Sequence, residues 1–87
     1  MLAMSAAIRD LDDFLEAPPN VIEPRHYRAC LLALLGRKDQ AQAAFMELLG
    51  YDAQHFGILN DFATFLFSSG NKKAAMLVLT EAVKWHP

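Results

Sequence analysis

Along most of the chain the apolar residues recur at helical spacing, and the pattern is interrupted only at proline- or glycine-bearing breaks. In residues 2–17, Ala7, Leu11, Phe14 and Leu15 fall at i, i+4, i+7 and i+8 with Arg9, Asp10, Asp12 and Asp13 mostly on the other side, which predicts an amphipathic helix. Pro18-Pro19 stops it, because neither proline donates a helical hydrogen bond and each disfavours helical geometry in the residue before it. A second helix starts near Pro24, which suits a first turn, and runs to about Leu35. Its Ala29, Leu31, Leu32, Leu34 and Leu35 leave few polar faces, the composition of a helix packed on more than one side. Gly36 closes it. A third helix follows from Lys38 to about Gly50, with Ala41, Ala44, Phe45, Leu48 and Leu49 in phase. After the break Tyr51-Asp52-Ala53-Gln54, with Asp52 as the expected N-cap, a fourth helix spans about Gln54 to Ser69 on the stripe Leu59, Phe62, Ala63 and Leu66, while Phe65 and Phe67 point to other sides. Gly70 ends it and Asn71 caps a fifth helix, whose expected buried stripe is Ala75, Val78, Leu79, Ala82 and Val83, down to Trp85. No strand pattern is present.

The helices repeat. When the end of the chain is laid over its middle so that Gly70 falls on Gly36, Ala75 falls on Ala41, Leu79 on Phe45, Trp85 on Tyr51 and Ala63 on Ala29. The same shift applied once more places Ala7 on Ala41, Leu11 on Phe45 and Pro19 on Ala53. The chain therefore reads as one domain: 2–19 as the second helix of an incomplete repeat, then repeats at 20–53 and 54–87. A helix pair cannot bury both of its faces alone, so successive pairs are expected to stack around a continuous core.

This unit resembles the tetratricopeptide repeat (TPR). In the second repeat Leu59 stands at the family's tryptophan position, Phe62 at the leucine, Ala63 at the small residue, Leu66 at the tyrosine and Gly70 at the turn, followed by Ala75, Leu79, Ala82 and Pro87. The first repeat departs from the pattern at Arg25 and Arg28, which take the first two apolar positions, at Leu48 and at Ala53. The resemblance implies an all-α fold of helix-turn-helix repeats stacked as a short right-handed α-solenoid, about two and a half units and five helices, with a concave face lined by the first helix of each pair. An unrelated five-helix bundle would lack the constant rotation between pairs.

Composition narrows the picture. With 87 residues there is room for one core, and 54% hydrophobic against 21% charged residues describes a folded domain rather than a disordered segment. A net charge of −2 with scattered Lys and Arg provides no basic stripe for a phosphate backbone, so no nucleic-acid partner is expected. No stretch approaches membrane-spanning length and no leader pattern opens the chain, so no membrane partner is expected and a cytoplasmic location is. The lone Cys30 excludes a disulfide within the chain.

Candidate chemistry is sparse. His26 and Cys30, at i and i+4, share one side of a helix and could contribute to a metal or a thiolate–imidazole pair, but sequence places no third ligand beside them, so they read as groove-lining residues and no metal or cofactor is expected. Asp10, Asp12 and Asp13 lack the spacing of a calcium loop. No nucleophile triad, phosphate-cradling loop or H-E-x-x-H element occurs, so the chain is not expected to be an enzyme. The resemblance places Glu23, His26, Tyr27, Cys30, Asn60, Thr64 and Phe67 at or beside the groove, the surface expected to meet a protein or peptide partner. Some members of the family hold a chaperone's terminal carboxylate with lysines and asparagines; here only Asn60 is of that type, and the clamp does not carry over. A second expectation is that the chain is a fragment or assembly arm of a longer multidomain protein, enzymes included. Met76, Leu77 and Trp85, beside the last stripe and without a capping helix, predict self-association into a homodimer through that end.

Overall fold

The computed structural model describes residues 22–86, which form four α-helices: α1 (Ile22–Leu34), α2 (Lys38–Tyr51), α3 (Phe56–Ser68) and α4 (Lys72–Trp85). The expected helix at 2–17 with its proline stop, the half-repeat 2–19 and Pro87 lie outside the described residues. One offset relates the two halves: it carries Ile22 to Phe56 and Leu34 to Ser68, the ends of α1 to those of α3, and equally Lys38 to Lys72 and Tyr51 to Trp85, the ends of α2 to those of α4. The same offset carries Gly36 to Gly70, so the period seen in the residues is the period of the helices.

The two turns are built alike. Gly36 and Gly70 take φ of 77° and 87°, the left-handed conformation in which a Cβ would be strained. In the first turn Arg37 N–H donates to Leu32 O at 3.0 Å and Gly36 N–H to Ala33 O at 3.1 Å; in the second, Asn71 N–H donates to Leu66 O at 2.9 Å and Gly70 N–H to Phe67 O at 3.1 Å. Each is a Schellman closure, which occupies carbonyls that the end of a helix leaves unpartnered. Two-helix hairpins result, α1 on α2 and α3 on α4. Pro24 sits in the first turn of α1, where its missing N–H would have had no intrahelical acceptor.

The hairpins meet through α2 and α3, with a smaller contact between α1 and α3. Phe45 of α2 stacks on Phe62 of α3, ring centroids 5.3 Å apart, and lies 5.8 Å from Phe65. Ala29, Leu31, Leu32, Ala41, Leu48, Ile58, Leu66 and Ala75 complete the cluster around them. Burying each large side chain of this set contributes on the order of 1.5–3 kcal/mol. The alanines at 29, 41, 63 and 75 are all buried, so the four helices approach one another over small residues.

Several local expectations are corrected. Helix α3 starts at Phe56, and its N-cap is His55, whose Nδ1 accepts from Ile58 N–H at 3.2 Å. Asp52 instead accepts from Gln54 N–H at 3.2 Å in a local turn. Leu34 is 71% exposed, because it stands on the wall of the open cleft between α1 and α3 and, among the described residues, no further helix covers it. Phe65 is buried, since α3 lies between α2 and α4 and needs apolar residues on both flanks. Leu79 and Val83 are exposed, because α4 packs against α3 and no described helix covers its outer side. Among the described residues no helix is long and apolar enough to cross a membrane.

Candidate functional site

Helices α1 and α3 run in the same direction, side by side. His26 reaches Asp61, Cys30 reaches the same Asp61, and further along Ala33 and Leu34 face Thr64, Phe65 and Ser68 across a cleft. The cleft encloses about 460 Å³ and opens to solvent, with Cys30 and Asp61 at one end and Lys38 beside Ser68 and Ser69 at the other. A shallower depression bordered by Glu23, His26 and Tyr27 continues it past Cys30 and Asp61. One continuous groove therefore follows the two first helices.

The side of α3 that lines it is Asp61, Thr64, Phe65 and Ser68, at i, i+3, i+4 and i+7. Of the α3 residues expected in the groove, Thr64 lines the cleft, whereas Asn60 and Phe67 are exposed outside it. Phe67 carries the Lys72 ammonium 5.8 Å from its ring centroid. On α1, Cys30 lines the cleft, and Glu23, His26, Tyr27 and Cys30 border its continuation.

The polar centre is a trio. His26 Nε2–H donates to Asp61 Oδ2 at 2.7 Å, a contact that becomes an ion pair when the imidazole is protonated, and the Cys30 thiol donates to the same oxygen at 3.4 Å. The three donor atoms all lie within 4.8 Å of one another. Burial, then the charge of Asp61, then its hydrogen bond push the Cys30 thiol up to about 11. A thiol held protonated, beside an imidazole that turns to a carboxylate instead of to sulfur, is poorly arranged for nucleophilic attack.

Sequence reasoning missed Asp61. Its signal was available in the repeat register: equivalent helices lie alongside each other, so residues near positions 26 and 30 meet residues near 60 and 64, and Asp61 lies 35 and 31 residues from its two partners. Gly57 was also missed. A Cβ there would stand 3.1 Å from His55 Cε1 and 3.4 Å from His26 Cε1, so the glycine leaves room for two imidazoles packed edge to face at 5.8 Å. The reading of His26 and Cys30 as a pair without a third ligand is therefore revised, since folding supplies Asp61 as the third group.

The proposed self-association residues Met76, Leu77 and Trp85 are all exposed on α4. Met76 belongs to a stripe with Leu79, Thr80 and Val83, whereas Leu77 and Trp85 lie off it, the indole N–H donating to Glu81 at 3.3 Å. No family model, curated protein or solved structure matches this chain.

Proposed function

We propose that the chain is a non-catalytic interaction module of TPR-like repeats, an α-solenoid of about two and a half units, that binds an extended segment of a protein partner in the groove between α1 and α3. The observation that carries this reading is the groove itself, an open apolar cleft of peptide side-chain size with acidic groups at one end, formed by helices that run in parallel. Ala33, Leu34 and Phe65 offer a seat for one apolar side chain, and Glu23 and Asp61 favour a Lys or Arg beside it. Selection of displayed random peptides on the purified protein tests this. The expected result is a shared motif of an apolar anchor next to a basic residue, bound at least tenfold more weakly by Thr64→Trp, which fills the cleft from an exposed position. Failure to enrich any motif, or binding indifferent to Thr64→Trp, would overturn the reading.

A second reading is that the domain serves as an assembly arm, either in a longer protein or between copies of itself. The exposed stripe of Met76, Leu79, Thr80 and Val83 favours it, because apolar residues at i, i+3 and i+7 form the kind of seam along which helices pack.

A further inference from the structure

We infer that His26, Cys30 and Asp61 form a binding site for a divalent transition metal of the zinc class, one ion per chain, with one coordination position left open to the groove. Three observations combine in it. The donors are an imidazole nitrogen, a sulfur and a carboxylate oxygen, the set that zinc takes in preference to harder cations. They come from two helices, His26 and Cys30 one turn apart on α1 and Asp61 on α3, and all lie within 4.8 Å of one another. The trio is partly exposed and opens onto the depression bordered by Glu23 and Tyr27, which supplies an entry path.

Two of the three donor separations stand close to those of a bound ion, and the third, His26 Nε2 to Cys30 Sγ, lies within 4.8 Å and closes on binding. A tetrahedral ion bound at about 2.3 Å from sulfur and about 2.0–2.2 Å from nitrogen and oxygen sets its donors roughly 3.2–3.8 Å apart. Cys30 Sγ and Asp61 Oδ2, at 3.4 Å, already stand in that range. His26 Nε2 and Asp61 Oδ2, at 2.7 Å, must open by roughly half an ångström, within the reach of a carboxylate rotating on a part-exposed helix face. On binding, the thiol proton leaves to solvent and the thiolate coordinates. The imidazole turns the Nε2 lone pair to the metal and carries its proton on Nδ1, and Asp61 exchanges two hydrogen bonds for one coordinate bond. The edge of His55 against the His26 ring, in the space left by Gly57, keeps that ring from swinging away. With three protein ligands and an open fourth position, the ion is coordinated as in sites that admit an outside donor rather than in closed structural ones. The site does not depend on a peptide being bound in the groove.

Titration of the purified, metal-free full chain with Co(II), followed by displacement with Zn(II), tests the inference. The expected result is one equivalent of Co(II) with a thiolate-to-cobalt charge-transfer band and the intense d–d absorption of a four-coordinate ion, both abolished by one equivalent of Zn(II). Cys30→Ser should remove the charge-transfer band, and Asp61→Asn should weaken binding at least tenfold, each with helicity by circular dichroism unchanged. Absence of the band in the unsubstituted protein overturns the proposal, as does equal affinity in Asp61→Asn. Peptide selection run in chelator reports separately on the groove.

Discussion

The two hairpins have the same lengths, the same turn closures and the same buried alanines, yet they bury their second helices differently. Phe45 on α2 is 1% exposed, while Leu79, its equivalent one repeat later on α4, is 38% exposed. Leu49 is half-buried and its counterpart Val83 is 66% exposed. The positions are equivalent and the residues are all apolar. What differs is the neighbour: α3 lies over α2, and no described helix lies over α4. In a repeated structure the local sequence sets which face of a helix is apolar, and the next unit decides whether that face becomes core.

The largest test of this contrast compares Phe45→Ala with Leu79→Ala. Removing the ring stacked on Phe62 leaves a cavity at the junction of the hairpins, and the expected loss is about 3–5 kcal/mol. Leu79→Ala removes a side chain that is already partly in water, and roughly 1 kcal/mol or less is expected. Urea unfolding of both variants measures the difference. Equal losses would mean that α4 is covered in solution, as the assembly reading requires, and dilution should then lower the stability of the unsubstituted protein as well.

A smaller effect separates the two second helices at their starts. Asn71 accepts from Ala74 N–H at 3.2 Å at the N-cap of α4, whereas its counterpart Arg37 makes no side-chain cap on α2. Asn71→Ala should cost about 1 kcal/mol, and Arg37→Asn should gain roughly half that or more, since both N-caps have closely similar backbone angles. The same urea titrations read both. If Arg37→Asn gains nothing while Asn71→Ala loses, the hairpins differ in more than their neighbours.

These comparisons also show why the sequence revealed the helices more clearly than the site. Glycines at 36 and 70, alanines at 29, 41, 63 and 75, and the constant offset between them are local or periodic signals, and each has its counterpart in a turn or a close helix contact. Burial on α4 was misjudged because Leu79 and Val83 have the right phase but no covering helix. Phe65 was misjudged in the opposite direction, because a helix between two others needs a second apolar flank that a single stripe does not describe. Asp61 was overlooked because its partners are on another helix: nothing within α3 marks it, and only the lateral alignment of α1 with α3 turns His26 and Cys30 into a trio.

The smallest expected effect lies at that trio and applies the same contrast to a polar pair. Cys30 and Thr64 are equivalent positions; the Cys30 thiol donates across to Asp61 of the next hairpin, whereas the Thr64 hydroxyl donates to Asn60 O of its own helix at 2.9 Å. The covered position holds a titratable thiol against the next hairpin, so its contact depends on pH, whereas the hydroxyl of Thr64 does not titrate. The folded thiol is raised to about 11 from 9.0, so the folded chain retains this proton after the unfolded chain has released it. Stability from this group is complete below pH 9.0 and is lost as the pH rises through about 11. Solvent at the part-exposed thiol screens the interaction and keeps the effect modest. With chelator present, urea midpoints measured between pH 8 and pH 11 should fall less steeply in Cys30→Ala than in the unsubstituted protein, and alkylation of Cys30 at pH 8 should speed up in Asp61→Asn. Asp61→Asn removes the charge while leaving most of the burial in place, so a rate indifferent to it would show that desolvation alone holds the proton. The charge of Asp61 would then have no part in setting the chemistry of Cys30.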